Sequence, residues 1–179
     1  NVTKHTFLLE PTPPQIAAVK KLVSVRVGVV NVAAPYRGKA FVYRHGELQF
    51  EADFYNEYFV APAAMLSEAT ARGLAAANVF RRVMPPGTTD EGDYVLDGFA
   101  SEFYGDVRDA SKPAAALAVT FYLLPVNALT PKVIWSREYR QRAPVAEATP
   151  DAFARALNHG LSAILADLAR DLAAAELPK

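Results

Sequence analysis

The residues best suited to chemistry are few and scattered. Gly38-Lys39 has the ending of a phosphate-binding loop, but Ala33 stands where the first glycine belongs and Ala40 where the magnesium-holding hydroxyl belongs. No glycine fingerprint for a dinucleotide follows a strand, and no serine sits in a nucleophile elbow. His5, His45 and His159 lie on separate segments without a second ligand at helical spacing, so no metal site is expected. Asp90, Glu91 and Asp93 form one acidic cluster and Asp106 and Asp109 another. Paired carboxylates do acid–base work when burial separates their pKa values, but both clusters lie beside glycines in polar stretches that read as solvated loops. Arg137, Arg140 and Arg142 form a short basic run, suited to phosphate groups or to guarding a sheet edge against pairing. No residue set is catalytic, and no cofactor is expected.

The densest local feature is aromatic: Phe41, Tyr43, Phe50, Phe54, Tyr55, Tyr58 and Phe59 fall in one short span. Tyrosine and phenylalanine are enriched at interfaces and in apolar clefts. Phe50 and Phe54 lie on the apolar phase of an alternating strand and are expected to pack inward. Tyr55, Tyr58 and Phe59 come after that alternation and, with Tyr43, are the candidates to line a partner or ligand surface.

Segments of recognisable period position these residues. Residues 6–9 read as an edge strand, followed by a stiff linker at Pro11, Pro13 and Pro14, so that residues 1–22 make an amino-terminal strand and Pro-rich linker. Val23, Val25, Val27 and Val29 alternate with Ser24, Arg26, Gly28 and Val30 in a strand of period two. Residues 41–44 and 47–54 read as a hairpin around His45-Gly46, with Gly46 supplying a positive φ, and with Leu48, Phe50, Ala52 and Phe54 on the core side. A helix follows from Pro62 to about Ala77, capped by Asn78, with Met65, Leu66, Ala69 and Ala76 inward and a Glu68–Arg72 pair outward. Strands are predicted over 79–84, 94–104, 114–124 and 132–141, the second and third of these central in the sheet. Thr149, Pro150 and Asp151 open the strongest helix, whose Phe153, Leu157, Leu161, Ile164, Leu168 and Leu172 make one apolar stripe.

The 179-residue length suits one domain, and the 51% hydrophobic share suffices for a sizeable core. Nineteen basic residues balance nineteen acidic ones, which argues against a nucleic-acid partner and gives no electrostatic pull toward an anionic membrane. Cysteine is absent, which excludes disulfides and thiolate chemistry within these residues. The longest apolar stretch, residues 113–126, is shorter than the roughly 20 residues needed to span a bilayer.

The order and spacing of several segments resemble the ABC-type transport auxiliary lipoprotein family, relatives of paraquat-inducible protein C. Thr6-Phe7-Leu8-Leu9-Glu10-Pro11 resembles that family's early Y-x-L-x-P strand, with Phe7 for Tyr. The strand 25–32 followed by Ala34-Pro35-Tyr36 is similar to its first long strand and P-x-Y turn. Phe41-Val42-Tyr43-Arg44 resembles its I-V-Y-R segment. Residues 58–62 stand where W-A-E-P is usual, with Tyr58 for Trp and Ala61 for Glu. Tyr94-Val95-Leu96 with Phe99 and Phe103 is similar to its Y-x-L-x-x-x-I-x-x-F strand.

The resemblance implies a single α/β domain, a mixed sheet with helices packed on it, akin to the TolB amino-terminal domain (anticodon-binding-domain-like), plus a β-hairpin. It implies a lipidated cysteine just before Asn1, tethering the chain on the periplasmic side of the outer membrane. It further implies ABC transporter and MCE-type partners that move lipids or other hydrophobic molecules, a possible homo-oligomer and no enzymatic activity. Direct binding of a hydrophobic ligand is the alternative expectation.

Overall fold

The structure is a computed structural model and describes residues 2–16 and 19–178. Residues 17 and 18 of the expected linker lie outside the described residues. The elements run β1 (His5–Phe7), β2 (Lys21–Val32), a 3-10 turn (Ala34–Tyr36), β3 (Ala40–Arg44), β4 (Phe50–Tyr58), α1 (Pro62–Ala77), β5 (Phe80–Met84), β6 (Tyr94–Asp106), β7 (Ala114–Pro125), β8 (Trp135–Pro144) and α2 (Pro150–Ala174). The described residues form a single α/β domain, an eight-stranded mixed sheet with two helices packed on it.

The sheet is organised around β6. Along one side of β6 runs β7, antiparallel over the full length, and β8 follows on β7. The other side takes two strands end to end. The first half of β6, from Tyr94 to Ala100, pairs in parallel with β2, and its end, Gly105 and Asp106, pairs in parallel with β3. β5 extends the sheet beyond β2, while β4 and then β1 extend it beyond β3. As expected, β6 and β7 are central, and β1 is an edge.

The alternation in β2 buries Val23, Val25 and Val27 on the helix side; after a register slip the same side continues with Val30 and Val32, which leaves Val29 exposed. α1 lies over β2 and β5, α2 over β7 and β8, and the helices touch each other. Pro62 opens α1 at a position where its missing N–H is not needed, and Asn78 ends it in the left-handed conformation, φ 56°. Its inner face is Met65, Leu66, Ala69, Leu74 and Ala77. Ala76, expected inward, is exposed because the stripe turns onto Leu74 and Ala77. The Thr149 hydroxyl accepts the Ala152 N–H at the start of α2, and all six residues of the predicted stripe are buried.

Two expectations about connections change. The Pro-rich stretch, expected as a stiff linker, is strapped across the helices. Leu9 is buried, the Thr12 N–H donates to Ser162 Oγ at 2.9 Å, Asn158 Nδ2 donates to the Glu10 carbonyl at 3.2 Å, and Pro14 packs beside Gly73. The hairpin loop spans residues 45–49 rather than two residues, with His45 N–H and Gly46 N–H both bonding to the Gln49 carbonyl. A loop of this length needs no primed turn, and Gly46 does not have a positive φ.

Candidate functional site

The site is built at the β3–β4 end of the sheet. β3 and β4 pair regularly from Arg44↔Phe50 to Val42↔Ala52, and then the register slips to Ala40↔Glu57. Four residues, Asp53 to Asn56, therefore stand opposite the single Phe41. Asp53 organises this bulge. Its Oδ1 accepts the backbone N–H groups of Tyr55 at 2.8 Å and Asn56 at 3.0 Å, and its Oδ2 accepts from Asn56 Nδ2 and from the Tyr43 phenol at 3.1 Å.

The bulge decides which aromatic faces where. Phe54 is 64% exposed and Tyr55 56%, their rings meeting edge to face at 5.2 Å. Phe59, just past β4, is 63% exposed, and its N–H bonds to the Phe7 carbonyl of β1 at 2.8 Å. Tyr58 is thrown inward instead, 3% exposed, stacked on Phe103 at 5.1 Å and against Phe41 at 4.5 Å. Its expected place on an open surface is thus corrected: the extra residues of the bulge shift its phase into the core. Burial pushes its phenol far above the ordinary range. Tyr43 is half-buried, its ring 5.4 Å from Phe153 of α2, and burial and then Asp53 raise its phenol. Tyr43 therefore holds the bulge from beneath, while Tyr55 and Phe59, joined by Phe54, make an exposed aromatic edge. Exposed Leu8 follows β1 in the same strand pair, and Lys4 pairs with Glu57 at 2.9 Å and stands over the Phe54 ring.

The expected inward placement of Phe50 and Phe54 is also corrected. The helices lie mainly over β2, β5, β7 and β8, and Phe50 and Phe54 of β4 are left exposed. Phe50 rests on the helix-free face, against Tyr36 and edge-on to Tyr104, with the Arg44 guanidinium 5.2 Å above its ring. Leu48, at the loop tip, is wholly in solvent.

The polar residues singled out in sequence serve structure. Asp106, expected in a solvated loop, ends β6 with its side chain 1% exposed, because Arg108 Nη2 and Arg142 Nη1 each lie 2.7 Å from Oδ2. These hydrogen bonds, Arg108 first, hold its carboxyl well below the usual carboxylate range. Asp93 accepts the Ser24 N–H within β2 at 2.7 Å, and Asp90 pairs with Arg82. Arg137 pairs with Asp171, and Arg140 with Glu102 and Glu138, so the basic run laces the edge strand β8 to its neighbours. His45 pairs with Glu51, while His5 lies in β1 and His159 in α2. Among the described residues no three His or carboxylate side chains gather as a metal site.

The fold and an exposed aromatic edge thus define a two-layer α/β domain. Protein XCC0632 of Xanthomonas campestris, of family DUF330, has the same fold, at TM-score 0.80 and 18% identity over 92% of each chain. An uncharacterized protein matches at TM-score 0.72 and 16% identity over 95% of this chain and 99% of the other. The hypothetical protein CT253 of Chlamydia trachomatis matches at TM-score 0.52 and 13% identity over 86% and 95%. No family model and no curated protein sequence matches the chain.

Proposed function

We propose that this chain is an accessory lipoprotein of an ABC/MCE-type transport system, carrying no reaction of its own. It would be tethered by a lipidated cysteine upstream of Asn1, would face the periplasm from the outer membrane, and would work by contact with the transporter or MCE-type components. The observation that carries the reading is the aromatic edge of Phe54, Tyr55 and Phe59. Phe54 and Tyr55, in edge-to-face contact, and Phe59 are each more than half exposed where β4 bulges and ends. The segment order that resembles the auxiliary lipoproteins supplies the transport context. No helix of the described residues is long and apolar enough to cross a membrane.

The test uses the full-length chain in cells that contain the transport system. Wild-type protein is expected to co-purify with its MCE-type or ATPase component and to carry acyl chains on its first mature residue. The triple variant Phe54→Ser, Tyr55→Ser, Phe59→Ser is expected to keep its Tm and lose the component. Unchanged co-purification by the variant, or none by the wild type, would sink the reading.

A further inference from the structure

A second site lies away from the aromatic edge, on the helix-free face of the sheet. Between Val27↔Leu96 and Val30↔Gly98 the register slips, so that Gly28 and Val29 stand opposite Asp97. The Asp97 carboxylate occupies the space beside Gly28 that a side chain would need, and a Cβ there would collide with its Oδ1. A side chain at position 28 would have to displace the Asp97 carboxylate, whereas the Gly28 backbone is of ordinary conformation. Burial lifts the Asp97 carboxyl above its ordinary range, against the lowering influence of Arg26. The two charges feel each other, yet among the described residues no ion pair joins them, and Arg26 Nε is buried without a hydrogen-bond partner. Both lie in one cleft of about 490 Å³, whose apolar wall is Val29, Phe99 and Tyr122. Val29 and Phe99 are exposed along it.

A buried donor without an acceptor is costly to leave unmade, and the partly buried Asp97 carboxylate is charged at a cost that a cationic partner would offset. Here the two lie side by side with opposite demands. Asp97 disfavours a plain anion and Arg26 a plain cation. A neutral peptide strand would leave both charges uncompensated. An arginine fork suits a phosphate, and a half-buried carboxylate suits an ammonium.

We propose that this cleft binds an amino-phosphate zwitterion, with the phosphate on Arg26, the ammonium on Asp97, and any attached acyl chain running over Val29 and Phe99. The inference stands on the cleft and not on the accessory role, so its failure leaves the transporter test untouched. The purified chain is titrated calorimetrically with dihexanoyl phosphatidylethanolamine, dihexanoyl phosphatidylglycerol and free O-phosphoethanolamine, each below any micellar concentration. The ethanolamine lipid is expected to bind at least about tenfold tighter than the glycerol lipid, and Asp97→Asn to erase most of that preference. Arg26→Gln is expected to weaken both lipids. Tighter binding of the lipid than of free phosphoethanolamine assigns the site to a headgroup with its chains; equal binding assigns it to the soluble zwitterion. Equal affinity for the two lipids in the wild type, no saturable binding of either ethanolamine compound, or an Asp97→Asn chain with unaltered preference overturns the proposal.

Discussion

Arg142 of the edge strand β8 reaches across β7 to place Nη1 2.7 Å from Asp106 Oδ2 at the end of β6. A carboxylate with almost no exposed surface is thereby neutralised from two sides, since Arg108 grips the same oxygen. Removing either charge leaves the other group short of its partner.

That pairing sets a pH dependence. The native Asp106 carboxyl titrates below the usual carboxylate range, so as pH falls the unfolded chain takes up the proton first. The stabilisation is complete above about pH 5 and is lost as pH falls through about 4 toward the native value. Asp106→Asn is expected to lower stability to urea by about 1–3 kcal/mol at pH 7, with the gap narrowing below pH ~4. A gap that stays constant down to pH 3 would show that the carboxylate's charge is not the source.

Tyr58 and Tyr55, three residues apart, are expected to behave in opposite ways. Tyr58→Ala removes a ring packed between Phe41 and Phe103 and should cost roughly 3–5 kcal/mol. Tyr55→Ala should stay within about 0.5 kcal/mol of wild type, because its ring faces solvent. Thermal unfolding of the two variants side by side distinguishes them.

Gly105 lies under two rings. A Cβ there would stand 2.8 Å from Tyr43 Cδ1 and 2.9 Å from Phe153 Cε1. Gly105→Ala should therefore cost about 1–3 kcal/mol through overpacking. Tyr43→Ala in the same background should recover part of that loss, and a simple additive loss in urea titrations would show that the rings do not compete for this space.

The strap over the helices is tested through Leu9. If residues 9–14 belong to the folded domain, Leu9→Ala should lower stability by about 2–5 kcal/mol. A free linker would give no change in Tm, and that result would remove the strap from the account.

Local patterns reached far into this fold where one segment alone decides its structure. α2 was legible because a cap, a proline and a 3.6-residue stripe agree over its length. Asn78 ends α1 as expected, because left-handed backbone is a local property of asparagine. The phase of β4 was not legible. It depends on four residues bulging opposite Phe41 and on where the helix layer stops, and both are set by distant pairing. The candidate surface was accordingly read in part. Tyr55 and Phe59 are exposed, Tyr43 supports the bulge from below, and Tyr58 belongs to the core. Asp106 was hidden for a similar reason. Arg142, 36 residues away, closes over it only once β8 is in place.

The end-to-end seating of β2 and β3 on one side of β6 has a consequence for how the molecule comes into being. β6 and β7 are joined by a short connection and can meet early, whereas β2 must wait for a strand that begins more than sixty residues later. During vectorial synthesis the valine-rich β2 and the β3–β4 hairpin emerge before their template exists, with unpaired edges in the meantime. Assembly should thus be paced by the arrival of β6, in the slow regime expected of topologies dominated by distant strand pairing.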